Sequence, residues 1–163
     1  MRLRSSPKRE GLPMTPKAWA ALLAATMLSA PTLAQEAAAP PVTPAPTGPV
    51  TLAATLTGAA ELDDGDPDGK GGAKITIDGT RLCYDVDYHR LAPVTMAHIH
   101  AAPEGKNGDP VATLKLDADE NIKGCLAVSA ELAAALIANP KDYYVNVHTE
   151  ELPKGAIRGQ LSK

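Results

Sequence analysis

Three of the four histidines lie in two segments that alternate as strands do, Met96-Ala97-His98-Ile99-His100 and Tyr144-Val145-Asn146-Val147-His148. Successive side chains of a strand point to opposite faces, so Met96, His98 and His100 share one face. Tyr144, Asn146 and His148 share one face of the second strand in the same way. If the two strands are neighbours, the three imidazoles converge. The outcome is then either a metal site or an ordered polar network.

The stretch from about Val50 to Lys163 reads as short strands separated by turns. Strands are expected at Thr51–Thr57, Ala73–Ile77, Leu82–His89, Thr95–His100, Val111–Leu116, Ile122–Val128, Tyr143–His148 and Ala156–Leu161. Asp78-Gly79 between two alternating runs is a hairpin signal. One helix is expected over Ser129–Asn139, where Ser129 can cap it, Glu131 suits its first turn and Asn139-Pro140 stops it. Many short strands with one short helix predict an all-β fold, an antiparallel, Greek-key-like β-sandwich or flattened barrel.

The first third of the chain does not belong to this pattern. Arg2, Arg4, Lys8, Arg9 and Lys17 precede an apolar run, Ala18–Leu28, that is short for a bilayer span, and Thr32-Leu33-Ala34 offers small residues to a signal peptidase. Residues 1–34 are therefore expected to be a cleaved secretory signal peptide, with an uncleaved anchor as the alternative, and the protein is expected to be periplasmic or secreted. No twin arginine is present, which favours the general export route. Residues 35–50, rich in Pro and Ala, form an expected disordered linker, because such a composition cannot bury a core. The remaining domain, 51–163, carries no later stretch long and apolar enough to be a membrane span.

Five of the sixteen Lys/Arg and one of the nineteen Asp/Glu lie in residues 1–34, which leaves eleven bases against eighteen acids and a net charge near −7. Such a domain repels phosphate backbones and is not expected to bind nucleic acid. Its two cysteines, in an exported chain, are expected to form a Cys83–Cys125 disulfide. On the chain-entropy account that staple is worth roughly 4 kcal/mol. It matters in a chain with no Phe and a single Trp, Trp19, in the signal.

The order Leu82-Cys83-Tyr84, Ala97-His98-Ile99-His100, Asn107-Gly108, Gly124-Cys125, Asn139-Pro140, Tyr143–Thr149 and Gly155–Leu161 resembles the CHRD (chordin-type) domain in its bacterial secreted single-domain form. The resemblance spans about Val50 to Lys163. One departure is Ala101, where the family usually has Gly. The resemblance implies an exported β domain. In animal chordins such domains sit in extracellular antagonists of bone morphogenetic proteins, a role that does not transfer to a chain of this layout.

His98, His100 and His148 are candidate metal ligands for copper or zinc, with Met96 as a soft fourth ligand for cuprous ion and Asn146 or Arg158 in support around them. The competing reading is a network in which the histidines, Asn146, Arg158 and Gln160 hydrogen-bond across strands without metal, or a patch that recognises a small ligand or an extracytoplasmic protein partner. A histidine pair of this spacing also occurs in copper-zinc superoxide dismutases, but four histidines cannot furnish that dinuclear site. His89, beside Asp85 and Asp87, reads as a surface residue. Asp64, Asp66 and Asp68 imitate the start of a calcium loop, yet Ile75 stands where the last ligand would be. Ser129 and Ser162 lack any nucleophile motif, so the domain is expected not to be an enzyme.

Overall fold

The structure is a computed structural model and describes residues 48–163. The expected signal peptide at 1–34 and all but the end of the expected linker lie outside the described residues. Val50, given to the linker on sequence, opens the first strand.

Eight strands make one antiparallel sheet: β1 Val50–Thr57, β2 Lys70–Asp78, β3 Arg81–His89, β4 Val94–Ala101, β5 Pro110–Leu114, β6 Ile122–Ala127, β7 Tyr143–Thr149 and β8 Ile157–Gln160. Their order is β5-β4-β7-β8-β1-β2-β3-β6. The sheet curls until its end strands approach, so the sequence expectation of a sandwich or flattened barrel resolves as a nearly closed barrel. Alternate residues fill it: Leu52, Leu56, Ile75, Ile99, Val145 and Ile157 have no exposed surface. This interior of aliphatic side chains is the main stabilising term.

The seam between the end strands is spanned from within by one phenol. Tyr84 on β3 faces the core, and its hydroxyl donates to the Lys115 carbonyl at 3.1 Å and accepts from the Lys115 amide at 3.0 Å, just past β5. The ring must cross β6 to get there. Its cross-strand partner on β6 is Gly124, where a Cβ would stand 2.9 Å from the Tyr84 hydroxyl, so a side chain at this position would push the ring off its path.

The helix, α1 Ala130–Ala138, is capped as expected: Ser129 Oγ accepts from the Leu132 amide at 3.1 Å. Its Ala133 and Leu136 join the core. Cys83 and Cys125 face each other directly across β3 and β6 and are joined in a disulfide, which ties the last strand of the sheet to its neighbour. Among the described residues no helix is long and apolar enough to cross a membrane.

Candidate metal centre

The outer face of β4, β7 and β8 is polar, because the apolar residues of these strands are spent on the core. Registers bring the strands side by side: Met96 opposes His148, His98 opposes Asn146, and His100 opposes Tyr144. On the other flank of β7, Asn146 opposes Arg158 and Tyr144 opposes Gln160. The expected adjacency of the two histidine strands is therefore present. One nitrogen from each of His98, His100 and His148 can be chosen so that all lie within 4.8 Å of one another, and among the described residues no other such group of potential ligands forms.

Two loops cover this face. In the first, 102–109, the Gly108 carbonyl accepts from His100 Nδ1 at 2.8 Å and the Gly108 amide donates to the Tyr144 hydroxyl at 3.3 Å. Arg158 donates to Asn107 Oδ1 and to the Lys106 carbonyl, both at 2.8 Å, and Gln160 donates to the Ala102 carbonyl at 2.8 Å. The second loop, 150–156, is held by His148, whose Nδ1 donates to the Pro153 carbonyl at 3.1 Å.

These bonds decide the tautomers. A carbonyl only accepts, so neutral His100 and His148 both carry their proton on Nδ1 and present a bare Nε2. His148 Nε2 lies 3.2 Å from His98 Nδ1, which must then be the donor between them. His100 Nε2 is buried and has no partner among the described residues. Burial holds all three rings neutral: it lowers the pKa of His98 and of His100, and pushes His148 down to about 4, with the neighbouring His98 adding to the shift. For His100 the Gly108 bond opposes that trend and Arg158 adds to it.

The remaining predicted residues are placed around the cluster. Met96 is 45% exposed, whereas His148 across from it is 6% exposed. Arg158 makes no hydrogen bond to an imidazole; its guanidinium sits 3.8 Å from the centre of the Tyr144 ring, and that ring stacks on His100 with centroids 4.9 Å apart. Asn146 is buried, and its Oδ1 has no partner among the described residues. His89 lies away from the cluster at the exposed end of β3, 3.5 Å from Asp87. The acidic loop closes on itself, with Asp66 Oδ1 accepting from the amides of Asp68 and Gly69.

Several residues of the site gave no sign in the sequence. Glu61, from the segment after β1, has a buried, unpartnered Oε1; burial raises its pKa to about 7 against the pull of Arg158, and Asp63 adds to the rise. Gly155 makes room for it. Its φ of +145° suits glycine, and a Cβ there would stand 2.6 Å from Glu61 Oε1 and 2.8 Å from both amide atoms of Asn146. Gly108 and Gly155 stood in the motifs that carried the family resemblance, but nothing local marked what they do.

No curated protein and no solved structure matches the chain. The CHRD domain family model matches residues 52–161, which takes in all eight strands apart from the first two residues of β1, the disulfide and every residue of the histidine face. The chain belongs to the CHRD domain family.

Proposed function

We propose that this domain is a non-enzymatic metal-binding module, acting outside the cytoplasm, that holds a single copper or zinc ion through His98, His100 and His148. The observation that supports this most is the orientation of His100 and His148. Each gives its Nδ1 proton to a backbone carbonyl and leaves Nε2 bare, that of His148 facing His98, the arrangement that metal-bound imidazoles adopt. The unpartnered His100 Nε2 would gain a ligand bond. Two ligands at about 2.0 Å from a tetrahedral ion stand about 3.3 Å apart. The His98–His148 separation of 3.2 Å fits that edge, and His98 needs only to move its proton from Nδ1 to Nε2 to become a ligand there. An extracytoplasmic setting suits the disulfide.

The same 3.2 Å contact favours a second reading, in which the histidines simply hydrogen-bond to each other and to the covering loops. Calorimetry on the untagged protein separates the two. The metal reading expects submicromolar copper or zinc binding, weakened by at least about tenfold in both His100→Ala and His148→Ala and unchanged in His89→Ala. Absence of binding, or binding unaltered in both variants, would leave the structural network as the function of this face. In that case metal does not shift the melting temperature, and His148→Ala costs roughly 1–3 kcal/mol of stability.

A further inference from the structure

Resting on the metal reading, we infer that the ion this site takes is cuprous copper, and that the exposed Met96 thioether is where it enters and leaves. Two independent features point this way. The first is charge. The three ligands are neutral imidazoles with no carboxylate among them, so the ligands themselves offset none of the charge of a bound ion; the nearby acids, Glu61 acting on Arg158 and Asp109 acting on His100, stand outside the ligand set. Close behind it lies Arg158, 3% exposed, whose guanidinium bonds only neutral oxygens and forms no ion pair among the described residues. It reaches the site through Tyr144, the ring stacked on His100. Repulsion from that buried cation scales with the charge of the ion, so a monovalent ion meets half the penalty of a divalent one at the same place.

The second feature is the position of sulfur. Met96 is one of two large apolar side chains that the described surface leaves exposed, and it stands directly across from His148 on the histidine face. The β4–β7 register shifts between Val94 and Met96, so the sheet is irregular at this rim. A thioether is a soft ligand that binds cuprous copper and has little affinity for zinc or cupric ions. Placed at the wet edge of a nitrogen site, it can bind an incoming ion before the imidazoles do. The donor best matched to it is a carrier that presents copper on sulfur ligands.

The transfer moves an ion and no electron. The carrier's sulfur releases the cuprous ion as Met96 Sδ takes it, and the imidazoles of His148, His98 and His100 then replace the carrier's remaining ligands. The His98–His148 hydrogen bond breaks in this step, and the His98 proton moves from Nδ1 to Nε2 on the same ring. No proton is lost overall.

The test is anaerobic. Cuprous affinity and the rate of cuprous removal are measured with bicinchoninate as competing chelator, and zinc affinity by calorimetry, for the wild type and Met96→Leu. Cuprous binding should exceed zinc binding by at least about a thousandfold, since the soft thioether and the nearby cation act in the same direction. Met96→Leu should slow copper removal by about tenfold or more while leaving zinc affinity within about twofold, because zinc makes no use of the sulfur. Zinc binding as tight as cuprous binding overturns the inference and leaves the metal reading standing, as does an exchange rate that Met96→Leu does not alter. Failure to bind either ion overturns both.

Discussion

At the scale of single residues, the site is a place where burial works against ionisation from two directions. His148 remains neutral in the fold down to about pH 4, whereas an unfolded histidine takes up its proton near 6.5. Between these values the unfolded chain binds more protons, so stability falls as pH drops through this window, and His98 and His100, also lowered, add to the loss. Glu61 does the reverse. Its carboxyl stays protonated in the fold up to about pH 7 but ionises near 4.5 when unfolded, so it removes stability as pH rises from about 4.5 to 7. The two slopes oppose each other over most of their range. Thermal melts of the metal-free protein from pH 4 to 8 should therefore show Glu61→Gln gaining on the wild type as pH rises, and His148→Ala with a flatter acid limb. A Glu61→Gln advantage that grows toward low pH would contradict this account.

At the scale of elements, strands were easier to read than loops. Alternation placed Met96, His98 and His100 on one face and Tyr144, Asn146 and His148 on another, because a strand's period is set by backbone geometry alone. What alternation could not supply is which strands are neighbours, or what covers them. The bonds from Gly108 and Pro153 that fix the imidazole tautomers come from loops, where no periodicity exists, and Glu61 reaches the site from a segment that is remote in sequence. The strand bounds shift for a local reason: β2 starts at Lys70 because Gly71 and Gly72 pair with Tyr88 and Asp87, although their composition reads as a turn. The loop 102–109 depends on Arg158, Gln160 and His100 for its anchorage. Asn107→Ala removes one acceptor of the guanidinium and should cost about 1–3 kcal/mol. Amide exchange should then speed up across residues 102–109 and remain unchanged in β1 to β3. Uniform acceleration over the whole barrel would show that the loop is not an independent unit.

At the scale of the whole molecule, the light core and the disulfide belong together. Leu, Ile and Val fill the barrel without a single Phe, and the bridge holds β6, one end of the sheet, onto β3. The two cysteines are 42 residues apart, a separation for which a crosslink contributes roughly 4 kcal/mol by restricting the unfolded chain. Reduction should therefore lower the melting temperature markedly without changing the strand content below the transition. Intact mass of protein recovered from cells should correspond to a chain beginning near Gln35 with no free thiol; a full-length mass would point instead to a retained anchor.

The phenol that bridges the seam has a consequence for the company this protein keeps. A sheet whose two ends are not zipped together by a ladder of their own exposes peptide groups that can recruit a foreign strand, and natural sheets guard such borders. Here a single hydroxyl satisfies both the amide and the carbonyl of Lys115 at that border, so neither is left to template growth. Since β5 also pairs with β4 alongside His98 and His100, keeping strangers off the border and holding the neighbour of the ligand strand depend on the same side chain.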